Sequence, residues 1–409
     1  MTINLLNTDK FKTISIVLKF KAPLDINTMS ERAILSKLLQ KTSAKYPDEQ
    51  QMINHLAHLY GAHLYSHVIK QNNAHVLTLG IDIINDKFLE DEDLLQEAFK
   101  LLHEVIFSPN IHDDTFCEEL INTEKHLFLT KYQAIKENLG QYGFYQLLKS
   151  MFADDAMKNP SFGDINHLER INGKEIFNTY QRLINEDEVH LYAVGDVDAE
   201  RVDELTKKYL PFAERKVHLS GVQLKQIDNT QIMIEHIETK QARINMGYRF
   251  DVKHPESSYF AFIVLNQIFG GDPSSLLFTN VREKLSLAYQ IHSQIDARSG
   301  ILYVLSGVNQ DKRLEAIDTI NTEFSRIKKG EFDEELLHTA KRMIINQKKE
   351  SLDRPKGYVE IEFSNTFGAA ISEEQWMSGV NKVTKEDIIR VAHTGTLHTV
   401  YCLTSEGSE

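Results

Sequence analysis

The chain has 17 histidines among its 409 residues, which makes metal chemistry the first thing to test. Neutral imidazole is a good zinc ligand, and two histidines one helical turn apart can meet the same ion. His103-Glu104 begins like HExxH, but Phe107 stands where the second ligand belongs, and the inverted spacing HxxEH does not occur. The densest group is His55, His58, His63 and His67, divided by Gly61. His63 and His67 fall on a strand, where four residues span about 13 Å and lose the adjacency of a helical turn. Surface or partly packed histidines are therefore favoured there over an independent metalloenzyme site. Cys117 and Cys402 are far apart and form no CxxC, so they read as ordinary reduced thiols.

Other motifs are equally sparse. No GxGxxG, phosphate-loop lysine or GxSxG elbow is present. Gly270-Gly271 is read as a helix terminator with a tight packing turn in preference to an anion cradle. The most informative stretch is FGGDPSSLLFTNVREKLSLAYQI, residues 269–291, which joins that turn to a short helix and then a strand. Arg282 there can bind a carbonyl or carboxylate through several oriented N–H groups, and Tyr289 can add a phenolic hydrogen bond at a sheet edge. From residue type alone, a salt bridge to an acidic neighbour for Arg282 and a packing role for Tyr289 are favoured.

The elements that must position these residues alternate between the two periodicities. Thr13 to Phe20 has apolar side chains at every second place, which predicts a strand with one buried face. A helix is expected from Thr28 to about Lys41, with Thr28 and Glu31 at capping-box spacing, and another begins at Pro47 and ends at Gly61. Residues 64–70 and 75–83 read as a hairpin around Gln71, Asn72 and Asn73. Helices follow from Asp93 to Phe107, from near Asp113, and through Leu147 and Leu148. Asn172 and Glu175 cap a further helix before a strand at 189–195 that buries alternate side chains. Beyond a polar link, Asn245 to Val252 is strand-like and Ser257 to Phe269 helical. Thr384 and Asp387 open a last helix, Gly395 closes it, and Leu397 to Leu403 forms a terminal strand. Helix-then-strand at 172–195 and again at 384–403 points to a duplicated α+β unit, with domains at 1–210 and 230–409 and a linker at 211–229.

Composition supports this scale. An apolar content of 42% over 409 residues is enough for roughly two to three domains. A formal charge of −13 leaves no basic patch for phosphates or anionic lipid, so neither nucleic acid nor membrane is expected as a partner. No run reaches the roughly 18 apolar residues of a spanning helix, and the opening residues do not read as a leader, so a soluble cytoplasmic protein is expected.

At residues 270–289 the sequence resembles the M16 metallopeptidases, the pitrilysin, insulinase and mitochondrial-processing-peptidase family. The resemblance lies in Gly270, Gly271, Ser274, Ser275, Arg282, Glu283, Lys284, Leu287, Ala288 and Tyr289, and extends to Tyr46-Pro47, LYGAHL at 59–64, Glu124-Lys125 and ValGlyAspValAsp at 194–198. It implies two similar α+β domains of the LuxS/MPP-like type, each an antiparallel-rich mixed sheet packed with helices, together forming a clam-shell half. Catalytic members carry HxxEH on the first long helix and a distal glutamate. Here that helix reads AILSKLLQKTSAKYP, residues 33–47, and Thr130 and Lys131 stand where the distal glutamate is expected. The resemblance thus implies no catalytic residue, metal or cofactor in this chain.

It is similar in particular to the non-catalytic chain of the two-chain pairs of Gram-positive bacteria, a type associated with modification of translation elongation factor P. That implies a zinc-bearing M16 partner with HxxEH and a peptide substrate held with the help of Arg282 and Tyr289, above the supporting turn at Gly270 and Gly271. It also leaves room for a homodimer of the isolated chain. The alternatives are a peptide-binding or assembly protein with no role in turnover, and a metalloenzyme built on the His55 to His67 group.

Overall fold

The computed structural model describes residues 1–89 and 93–406. The chain forms two compact units, and neither is one continuous stretch. The first comprises Met1–Tyr132, Asn159–Gly221 and Arg354–Phe363, and the second Gln133–Lys158, Val222–Asp353 and Ser364–Glu409.

The first unit runs β1 (Thr2–Asn7), β2 (Thr13–Pro23), α1 (Ile26–Lys41), α2 (Glu49–His58), β3 (His63–Gln71), β4 (Ala74–Ile84), α3 (Leu94–Phe107) and, as far as Tyr132, α4 (Glu118–Glu137). After α5 (Leu139–Met151), which lies in the second unit, it continues with α6 (Gly173–Asn185) and β5 (Glu188–Gly195). The second unit holds β6 (Gln231–His236), β7 (Gln241–Arg249), β8 (Ala288–Asp296), β9 (Ile301–Asn309) and the helix α7 (Glu334–Ser351). Next comes α8 (Pro355–Ser364), nearly all of it in the first unit, then α9 (Lys385–Thr394) and β10 (Thr396–Thr404).

The duplication is explicit in the sheets. The first is ordered β1-β5-β2-β4-β3 and the second β6-β10-β7-β9-β8, the same succession of first, fifth, second, fourth and third strand. In both sheets the first strand pairs parallel to the fifth, and the other pairings are antiparallel. Real capping boxes, Asn172 with Glu175 and Thr384 with Asp387, open the helices that feed the two fifth strands.

Several local expectations shift. The cap of α1 is Asp25, whose carboxylate accepts from the Asn27 N–H, so Thr28 lies inside the helix. The helix expected near Asp113 starts at Glu118, because Asp113 (φ 50°) and Asp114 (φ 57°) form the tight turn of a two-residue ladder, Ile111–His112 with Thr115–Phe116. The hairpin turn is at Asn72 (φ 46°) and Asn73 (φ 60°), the left-handed conformations a two-residue loop needs and asparagine tolerates. The strand expected at 245–252 occupies Gln241–Arg249.

The largest difference is burial. On β2 the alternating Ile14, Ile16, Leu18 and Phe20 enter the core as predicted, yet Ser15, Lys19 and Lys21 between them are buried too. Ser15 donates to Asp82 (2.5 Å), Lys21 pairs with Glu188 (3.0 Å), and Lys19 pairs with Glu360 of α8 (2.8 Å) beneath the Phe363 ring. β5 is likewise buried along its whole length. The second sheet has its counterpart in α5, whose Leu147, Leu148 and Met151 pack with Tyr303, Tyr401 and Leu403. Each sheet therefore has its second face covered by a helix from the other half of the sequence, which a period-two pattern does not reveal.

Candidate functional site

Two places carry the chemistry implied by the sequence, one in each unit. In the first unit, α1 and α4 bring residues 33–41 and 124–131 together. Ala33 and Ser36 are buried, and Ser36 bonds back to the Ala33 carbonyl (2.8 Å). Lys37 is half-buried and donates to the Ser66 carbonyl (2.5 Å) and to Gln40 Oε1 (3.1 Å). Its ammonium is held below the usual lysine range by burial and then by the neighbouring charge of Lys131 on α4. Glu124 is buried and pairs with Lys41 (2.9 Å), which also meets Glu49 (3.3 Å). Burial works against the charge on Lys41, but Glu124 and Glu49 outweigh it and raise its pKa.

A zinc ion needs neutral or anionic donors. The residues here do not fit one: Lys37, Lys41 and Lys131 bring positive charge, Ala33 has no donor, and the single buried carboxylate is already taken by Lys41. Among the described residues, no three His, Cys, Asp or Glu side chains converge on a point that could hold a metal. The histidine group is dispersed: His55 stacks on Tyr46 (4.6 Å), His58 meets the Asn54 carbonyl (2.6 Å), and His63 and His67 lie on β3. His67 is pushed down to about 4 by burial and by Lys19, which keeps it neutral in its packed place.

The second place is the Gly270–Tyr289 segment. The helix that starts at Ser257 stays α-helical only to Asn266, then widens over Gln267–Gly271, where Gly270 (φ −157°, ψ 15°) breaks helical geometry, and a π-helical turn follows at Leu277–Lys284. Such turns are uncommon and recur at functional sites. Gly270 is buried where a Cβ would stand 2.8 Å from the Ser293 nitrogen and 2.9 Å from Leu277, so only glycine lets β8 approach. Gly270→Ala is expected to cost about 1–3 kcal/mol by overpacking, measurable by urea denaturation. Asp272 then closes the turn by accepting from the Ser274 N–H (2.6 Å) and from Gln267.

Arg282 projects to solvent from the π-turn with its guanidinium 4.5 Å from the centre of the Phe278 ring. Among the described residues no carboxylate forms an ion pair with it, so the salt bridge favoured from residue type is not what the structure shows. Asn280, two residues earlier, is instead tied to buried Glu323 (2.8 Å) and to Lys284 (2.9 Å), which anchors the helix beneath it. Ser286 adopts φ 50°, a left-handed conformation costly for a side-chain-bearing residue, just before β8 begins.

On that strand Ala288 pairs with Val308 and Gln290 with Gly307, so Tyr289 is the extra residue of a β-bulge. Tyr289 is 55% exposed and its hydroxyl donates to Asn309 Oδ1 (2.8 Å), so it is not a packing aromatic either. Phe278, whose ring lies against the Arg282 guanidinium, is the neighbour that sequence reasoning missed. Its place four residues before Arg282, one helical turn, was the available signal.

The family model described as Peptidase M16 inactive domain matches residues 170–344, which include this segment. A protein of Bacillus subtilis (strain 168) named probable inactive metalloprotease YmfF is 32% identical, over 98% of this chain and 95% of its own length. The chain belongs to the M16 peptidase family. Within the M16 family it is an inactive homologue, in agreement with the lysines that stand among the residues of α1 and α4. A solved structure of a conserved protein from Enterococcus faecalis V583 superposes with a TM-score of 0.91 at 31% identity, covering 100% of this chain and 96% of that one. The M16 inactive domain from Pseudomonas fluorescens shares the fold, with a TM-score of 0.80 at 15% identity over 98% of this chain and 95% of its own.

Proposed function

We propose that this chain is the non-catalytic subunit of a cytoplasmic two-chain zinc peptidase. It pairs with an M16 subunit that carries HxxEH and uses Arg282 and Tyr289 to hold the peptide backbone of the substrate. The observation that carries this reading is the state of Arg282: a guanidinium oriented on an aromatic face and, among the described residues, in no ion pair with a carboxylate, in a chain whose α1 and α4 set Lys37 near Lys131. Its N–H fork suits a peptide carbonyl or a C-terminal carboxylate, and Tyr289 on its bulge offers a phenol within the same segment.

Co-expression with an M16 chain from the same genome that contains HxxEH tests the reading. The expected result is a stable complex with chelator-sensitive peptide cleavage that the partner alone does not match. Arg282→Ala is expected to lower kcat/KM of the complex about tenfold, the loss of one charge-assisted hydrogen bond, without weakening assembly. Full activity of the partner alone contradicts the proposal. A complex whose turnover is indifferent to Arg282→Ala and Tyr289→Phe favours an assembly role instead.

A further inference from the structure

β6 is an edge strand with no lysine, proline or bulge, and its Glu235 is drawn in against Tyr142 and Tyr401. Natural edges are blunted by lysine, proline, bulges or a covering element. In the second sheet the opposite edge, β8, has its bulge at Tyr289 and exposes Gln290, His292 and Gln294. In the first sheet β3 carries Lys70, and β1 packs Leu5 onto the core beside the helix Ala199–Tyr209. β6 reads Gln-Ile-Met-Ile-Glu-His, pairs with β10 in unbroken register, and leaves Ile232 70%, Met233 43% and Ile234 52% exposed. An open groove of about 900 Å³ runs along the whole strand, bordered by Gln146, Lys149 and Ser150 of α5.

The ladder fixes which groups are free. The Ile237 N–H bonds to the Thr404 carbonyl (2.9 Å), so the odd-numbered residues face β10 and the even-numbered ones direct N–H and C=O into the groove. The odd side chains sit on the α5 side, where Met233 receives the Ser150 hydroxyl (2.8 Å) and Glu235 is held by Tyr142 (2.8 Å) and Tyr401. Ile232 and Ile234 lie on the other face, beside Val400 and Cys402.

We infer that β6 pairs with β6 of a second copy of this chain, antiparallel about Met233, to join two five-stranded sheets edge to edge. The sequence is complementary to itself in this register. Ile232 meets Ile234 of the copy in the hydrogen-bonded pairs, Met233 meets Met233, and Glu235 faces the Gln231 amide, so no like charges are opposed. The inference does not depend on the pairing with a zinc-bearing chain, since it concerns the isolated protein.

Sedimentation analysis of the purified chain at micromolar concentration is the test. A dimer is expected, and Ile234→Lys should raise its dissociation constant at least about tenfold, through two lost Ile232–Ile234 pairs and a lysine at each edge. Circular dichroism should stay unchanged, and the melting temperature should lose only its dependence on protein concentration. In a Cys117→Ser background, Met233→Cys should oxidise to a covalent dimer, because only residue 233 faces itself across the twofold. Ile232→Cys should not. A monomeric wild-type chain, or a dimer indifferent to Ile234→Lys, overturns the inference.

Discussion

Asp187→Ala is expected to lower the unfolding free energy by about 3–5 kcal/mol, the cost of stranding a buried charge. Asp187 and Arg32 are both buried and meet at 2.8 Å. Arg32 lies on α1 and also reaches the Phe20 carbonyl (3.1 Å) and His75 Nδ1 (3.2 Å), so it ties that helix to β2 and β4. Burial holds the Asp187 carboxyl above the ordinary range even beside Arg32, so desolvation outweighs the attraction between the pair. Removing both charges should therefore be much milder than removing one. Urea denaturation of Asp187→Ala and of Arg32→Met/Asp187→Leu checks this: the double variant is expected to recover most of the loss.

Acidification should act through the same network. His75 is fully buried; its Nδ1 accepts from Arg32 and its Nε2–H donates to the Ser161 carbonyl (2.8 Å). Burial, reinforced by Arg32, pushes its pKa down to about 3. Between pH 6.5 and 3 the unfolded chain therefore binds a proton at this residue that the folded chain does not. Stability rises with pH through that window and is lost as pH falls. From pH 7 to pH 4 this histidine alone is expected to account for about 3 kcal/mol. Denaturation profiles of the wild type and His75→Gln isolate the effect, because the other titrating groups cancel in the difference. A difference that does not change with pH would show that His75 binds its proton equally in both states.

Much of the fold was legible because local signals agree with the global one. The Asn72-Asn73 turn, the Asn172–Glu175 and Thr384–Asp387 caps, and the alternation from Ile14 to Phe20 all sit where the structure places them. What pattern reading could not supply was long-range cover. Lys19 and Lys21 look solvent-facing until Glu360 and Glu188 arrive from far along the chain, and β5 looks one-faced until α8 lies against it. The candidate site divided in the same way. Gly270, Arg282 and Tyr289 were singled out by residue type and resemblance. The π-turn, the bulge and the Phe278 platform were not, because backbone irregularity has no periodic signature. The closeness of Lys37 to Lys131 spans two helices and needed coordinates.

Among the described residues no group of donors gathers that could hold a metal ion, whereas Arg282 and Tyr289 stand exposed on an irregular segment. The most direct measurement is zinc content and peptide cleavage of the purified, untagged chain, with and without a chelator. The account predicts no stoichiometric zinc and no chelator-sensitive cleavage. One zinc per chain, with cleavage that the chelator stops and that changing His55, His58, His63 and His67 abolishes, would contradict it.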